Sequence, residues 1–133
     1  MILVDTSVWI DYFKGIETQE TNFLDLALSH EDVAIGDLIL LEILQGFRSD
    51  KDYQIAKQSL AALYQFNMLT TDLAIKAAEN YRILRKQGIT IRKSADVIIA
   101  TFCIEKNIPL LFTDRDFLPF TQHMKLQTAC IQT

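Results

Sequence analysis

Short, uniformly apolar runs alternate along this chain with longer runs whose apolar residues recur at helical spacing. "ILVD" (2–5), "DVAIG" (32–36), a stretch around "FNML" (66–69) and "IPLLFTD" (108–114) read as strands, and "LQTACIQ" (126–132) as an edge strand. Between them the spacing predicts helices over "TSVWIDYFKG" (6–15), closed by Gly15, and over "TNFLDLALSH" (21–30), "DLILLEILQGF" (37–47) and "KDYQIAKQSLAAL" (51–63). Two more follow: "TDLAIKAAENYRILRKQG" (71–88), with Thr71 as N-cap and Gly88 as stop, and "SADVIIATFCIEKN" (94–107), with Ser94 as N-cap. "RDFLPF" (115–120) reads as a short helical turn. Strands that alternate with helices specify an α/β fold with a parallel sheet covered on both faces. Sites in such sheets form beyond the carboxyl ends of the strands, where Asp5 and Asp114 fall.

Composition narrows the picture. A chain of 133 residues is one domain's worth, 1–133, and 50% hydrophobic residues exclude a disordered chain. The net charge of −4 and pI near 5.1 argue against a generic nucleic-acid coat. They are compatible with a nucleic-acid enzyme whose metal-holding acids lower the pI. No run is long enough for a membrane span, and "MILV" is too short for a signal segment. Cys103 and Cys130 lie in apolar stretches without zinc or disulfide spacing, and read as buried free thiols of a cytoplasmic protein.

Several acids do not sit where surface acids sit. Glu42 is the one charge in "LILLEILQG", with no Lys or Arg at i±3 or i±4. A buried carboxylate needs a partner, a proton or a metal. Asp96 opens the apolar helix "SADVIIATFCI", where it also complements the helix dipole. Asp114 and Asp116 in "FTDRDF" have a bland reading as cap and first-turn acid, as does Asp5 before "TSVWI". Taken together, acids at two strand ends and in two apolar helices form an all-oxygen set that suits Mg²⁺ or Mn²⁺. Such ions serve phosphoryl chemistry.

Other chemistries find no foothold. His30 and His123 sit in polar contexts and read as surface residues, and the chain has no nucleophile elbow, P-loop or dinucleotide-binding turn. One basic stretch, "RILRKQGITIRK", carries Arg82, Arg85, Lys86, Arg92 and Lys93 without an acid and runs directly to Asp96. It reads either as a helix end that complements its dipole or as a rail for phosphates, with Arg85, Lys86, Arg92 and Lys93 as RNA-binding candidates.

These blocks, from Ile2 to Phe117, resemble the PIN-domain family and in particular its VapC-type toxin ribonucleases. "ILVDTSVWIDYFKG" is similar to the family's opening strand and helix, "LILLEILQGF" to its second block, and "SADVIIATFCIEKNIPLLFTDRDF" to its third and fourth. The resemblance implies a PIN-like three-layer α/β/α sandwich, with a mainly parallel central sheet flanked by helices. It implies an Mg²⁺- or Mn²⁺-dependent endoribonuclease, a homodimer held inactive by a VapB-type antitoxin. Asp5, Glu42, Asp96 and Asp114 would be the catalytic, metal-holding acids, supported by Thr6, Ser7, Thr113 and Asp116. Thr6 and Ser7 are expected to cap the first helix, one hydroxyl steadying the acids. The chain departs from the family at Phe112, where many members carry Ser or Thr, and Thr113 is expected to point to the opposite side of its strand.

In the implied reaction a metal-activated water attacks phosphorus in line and leaves a 5′-phosphate and a 3′-hydroxyl. The alternatives are a PIN nuclease of RNA processing or repair, and a non-enzymatic receiver-type phosphorylatable module. The receiver reading needs a mid-chain phosphoacceptor Asp at a strand end and a late lysine, neither of which is evident.

Overall fold

The computed structural model describes residues 1–129. In chain order the elements are β1 (Ile2–Val4), α1 (Thr6–Phe13), α2 (Gln19–Ser29), β2 (Val33–Gly36), α3 (Asp37–Gln45), α4 (Asp50–Ala61) and β3 (Tyr64–Phe66). They continue with α5 (Thr71–Lys86), α6 (Ser94–Lys106), β4 (Leu110–Leu111), a 3-10 turn (Arg115–Phe117) and α7 (Leu118–His123). The strands form a parallel sheet in the order β3-β2-β1-β4. β1 and β2 are buried along their whole length, which is why they read as unbroken apolar runs.

That order positions the site. From β1 the chain steps outward to β2 and then to β3, and the α5–α6 connection carries it back to the other side of β1. Right-handed crossovers in opposite directions put α1–α4 on one face of the sheet and α5–α6 on the other. The reversal of direction falls between β1 and β4, and a crevice opens there beyond the strand ends. Asp5 follows β1 and Asp114 lies three residues beyond β4, so both acids stand at this crevice.

Several sequence expectations shift by a residue or more. The third strand is Tyr64–Phe66 rather than 66–69, because the Met68 N–H donates to Asp37 Oδ1 (3.0 Å) instead of joining a ladder. The N-cap of α5 is Thr70, whose hydroxyl accepts the Leu73 N–H, and Thr71 is the first helical residue. Lys93, not Ser94, occupies the N-cap position of α6. Thr128 bridges to Leu110 in parallel, where the edge strand was expected; residues 130–132 of that stretch, with Cys130, lie outside the described residues. Cys103 is a buried free thiol and His30 and His123 are exposed. Among the described residues no helix is long and apolar enough to cross a membrane.

Gly36, at the end of β2, has an ordinary φ of −98° but no room for a side chain. A Cβ there would lie 2.1 Å from Sδ of Met68, which is itself 1% exposed. Gly36→Ala is therefore expected to destabilise the fold by about 1–3 kcal/mol, the usual range for overpacking. Urea unfolding measures it, and Met68→Ala in the same chain should recover part of the loss.

Candidate active site

Asp5 lies between β1 and α1 and is tied to both. Its N–H donates to the Leu111 carbonyl (2.9 Å), and its carbonyl accepts from Val8 (3.2 Å) and Trp9 (3.3 Å), which starts α1. The side chain makes no cap bond and is 5% exposed. The expected capping by Thr6 and Ser7 is replaced by another use of their hydroxyls. Ser7 Oγ donates to Asp5 Oδ2 (3.0 Å), and Thr6 Oγ1 donates to Glu42 Oε1 (2.7 Å). Asp5 takes the N-cap position, so the hydroxyls that follow it are free to face the acids. Burial raises the Asp5 pKa; the Ser7 hydroxyl and the N–H groups of Thr6 and Ser7 oppose the rise, and the Glu42 charge adds to it.

Asp96 arrives from the opposite face as the third residue of α6, its N–H donating to the Lys93 carbonyl (3.1 Å). It is 4% exposed, and its Oδ2 is buried without a hydrogen-bond partner among the described residues. Its pKa is pushed up to about 6, by burial first and then by the Asp5 charge; Lys93 opposes this, while Asp114 and Glu42 add to it.

Asp114 completes the crevice. Its Oδ1 accepts the Asp116 N–H (2.9 Å) and so caps the 3-10 turn, while Oδ2 lies 3.7 Å from Lys93 Nζ. Asp116 Oδ2 lies 3.5 Å from Arg92 Nη2. One carboxylate oxygen each from Asp96, Asp114 and Asp116 falls within a 4.8 Å group. The sequence had assigned Asp116 only a supporting part, since a first-turn acid needs no other explanation. The tight 3-10 turn brings it back beside Asp114.

Glu42 is half-buried rather than fully enclosed, and stands at the rim, where Thr6 holds it. The expectation for Thr113 is corrected. Its Oγ1 lies 3.1 Å from Ser7 Oγ, while Phe112 packs on Phe117 with ring centroids 5.3 Å apart. β4 ends at Leu111, so strict strand alternation no longer governs residues 112 and 113. A chain of hydroxyls thus runs from Thr113 through Ser7 to Asp5.

The basic stretch divides in two. Arg92 and Lys93 sit on the acids, whereas Arg85 lies over the Tyr81 ring (5.5 Å) in the last turn of α5, and Lys86 is exposed beside it. Arg85 and Lys86 also complement the helix dipole there.

The donor set fits a hard divalent cation. It consists of oxygens, and like charges held together favour either protons or a metal. The buried, unpartnered Oδ2 of Asp96 is the most direct sign, because leaving such an atom unsatisfied costs about 1–3 kcal/mol.

A pH dependence follows. Below the ordinary carboxylate pKa of 3.8, Asp96 is protonated in both folded and unfolded chains. Between there and about 6 the unfolded chain has ionised while the folded one keeps its proton, so stability falls as pH rises. Above that the cost is constant, at up to about 3 kcal/mol. Asp5 acts in the same direction. Urea unfolding in EDTA from pH 4.5 to 7.5 should show this decline, and Asp96→Asn should flatten it.

A parallel sheet whose β1/β4 crevice gathers acids from a strand end, an apolar helix and a tight turn places the chain in a class. It belongs to the PIN-domain family, whose profile matches residues 2–120. Within that family it is similar to the VapC ribonuclease Mb1587 of Mycobacterium bovis, 30% identical over 131 residues that cover 97% of this chain and 98% of the relative. It is also similar to ribonuclease VapC1 of Methanocaldococcus jannaschii, 34% identical over 109 residues, 82% of this chain and 72% of that one. The fold matches a chain of VapBC2 from Rickettsia felis bound to a promoter DNA fragment, with TM-score 0.77 and 19% identity over 99% of this chain and 100% of that one. It also matches FitAcB from Neisseria gonorrhoeae, with TM-score 0.72 and 17% identity over 96% of each chain.

Proposed function

We propose that this chain is a divalent-metal-dependent endoribonuclease and the toxin of a toxin–antitoxin pair. The observation that carries the reading is the buried, unpartnered carboxylate oxygen of Asp96, grouped with Asp114 and Asp116 and electrostatically coupled to Asp5. The VapC ribonucleases to which the chain is similar along nearly its whole length support the substrate class and the toxin role.

Asp5, Asp96 and Asp114, with Asp116, would hold Mg²⁺ or Mn²⁺, and Glu42 closes the set at the rim. When bound, such an ion lowers the pKa of water and neutralises charge on a phosphodiester. The remaining work falls to the chain. Ser7 and Thr113 fix the orientation of Asp5, and Thr6 occupies Glu42 Oε1, leaving Oε2 for a ligand. Val97 and the apolar residues behind Asp96 exclude water from the floor of the crevice. Arg85, Lys86, Arg92 and Lys93 supply positive charge along the path of the RNA backbone.

A VapB-type antitoxin and a second copy of the chain are the proposed partners, and the cytoplasm the proposed location. A groove of about 560 Å³ lies between α1, the end of α3 and α4, lined by Ile10, Phe13, Ile43, Phe47 and Ile55. It suits the apolar face of a partner helix, with a partner Arg reaching the acids. Leu26 and Leu41, 60% and 58% exposed, leave further apolar surface for contacts.

The test is expression of the chain alone and with the gene immediately upstream, together with sizing of the purified protein and mapping of RNA 5′ ends. Growth arrest relieved by the neighbour, a dimer, and Mn²⁺-dependent cleavage at discrete sites are expected. A harmless monomer that cleaves RNA would replace the toxin reading with RNA processing, and absence of cleavage in Mn²⁺ would overturn the enzyme reading.

A further inference from the structure

We propose that Lys93 and Arg92 are internal stand-ins for the metal's charge: they neutralise Asp114 and Asp116 in the metal-free protein and pass to the RNA phosphates when a divalent cation enters. This rests on the metal-dependent ribonuclease reading. Two consecutive residues just before α6 reach across the crevice to the two acids of "DRD". The Lys93 backbone is anchored, because its carbonyl accepts the Asp96 N–H (3.1 Å), so its side chain starts from the same helix end that presents Asp96. From there Nζ lies 3.7 Å from Asp114 Oδ2, and Arg92 Nη2 lies 3.5 Å from Asp116 Oδ2.

Both contacts are longer than the 2.7–2.9 Å of a strong charge-assisted bond. Both side chains are well exposed, at 58% for Lys93 and 79% for Arg92. Such loose, solvated pairs are weak and open readily. A divalent cation on the same carboxylates brings twice the charge and repels an ammonium or guanidinium held beside it. The displaced heads stay tethered at the crevice mouth, where the anion to be met is the substrate backbone. Arg85, held over Tyr81, is placed for no such exchange. The metal and these two side chains compete for the acids, and the metal and RNA bind cooperatively through them.

The experiment measures Mn²⁺ affinity by calorimetry, and KM and kcat on a short single-stranded RNA, in Lys93→Ala, Arg92→Ala and Lys106→Ala. Lys106 ends α6 roughly 18 Å along its axis from Ser94 and controls for net charge alone. Lys93→Ala and Arg92→Ala are expected to bind Mn²⁺ about fivefold more tightly, the scale of an exposed ion pair. Their KM should rise several-fold with kcat nearly unchanged, while Lys106→Ala behaves as the parent. An Mn²⁺ affinity that is unchanged or weaker, an equal gain in Lys106→Ala, or an unchanged KM overturns the exchange. Failure of the parent chain itself to bind millimolar Mn²⁺ is a different result: it removes the metal reading, and the exchange with it.

Discussion

Asp96→Asn is expected to lower RNA cleavage by about three orders of magnitude while making the metal-free protein more stable. The size of the first effect follows from removing one of a few preorganised charges that act on a phosphoryl group. The second has the opposite sign because Asp96 is buried, its Oδ2 has no partner, and Asp5, Asp114 and Glu42 all oppose its ionisation. Asparagine keeps the shape, removes the charge and offers an N–H to neighbouring carboxylates. At pH 7.5 in EDTA the gain should be about 1–3 kcal/mol, the range set by a pKa moved to about 6. Glu42→Gln is a useful contrast. Its side chain is half-buried and held by Thr6, so activity should fall with little change in stability. Initial rates with excess Mn²⁺ and urea unfolding in EDTA decide both points. Turnover near the parent's in a folded Asp96→Asn protein would falsify its place in the catalytic set.

The second large effect is stabilisation by the metal itself. An ion that binds only the folded chain adds about 2.7 kcal/mol at a hundredfold excess over its Kd. For a domain of this size that raises the melting temperature by roughly 10 °C, at about 2.1 cal/mol/K of unfolding entropy per residue. The gain should be larger at pH 7.5 than at pH 5, because a proton on Asp96 competes with the ion. Asp96→Asn should lose most of it. Identical melting curves in EDTA and in millimolar Mn²⁺ would remove the metal from this site.

The sequence carried the order of the elements and the location of the crevice. Both follow from short-range pattern: β1 and β2 are buried on both faces and therefore read as unbroken apolar runs, and Asp5 and Asp114 stand just beyond the ends of such runs. Asp96 was visible because a single acid opening an apolar helix is conspicuous, and Glu42 for a similar reason. Pattern overstated the burial of Glu42, however. Six apolar neighbours fix the character of a helix but not the direction one side chain takes, and α3 turns Glu42 to the rim and leaves Leu41 58% exposed.

What only the tertiary structure decided are contacts between residues far apart in the chain. Thr6 reaches Glu42 across 36 positions, and Ser7 reaches Thr113 across 106. Periodicity could not foresee the second contact, because β4 ends two residues before Thr113. The same is true of Asp116, which a tight turn brings back beside Asp96, and of Lys93 and Arg92, whose long side chains span the crevice. Local propensity and burial determine which residues lie at the edge of the sheet. Which oxygen each of them faces is set by the packing of α1, α3 and α6 around the reversal between β1 and β4.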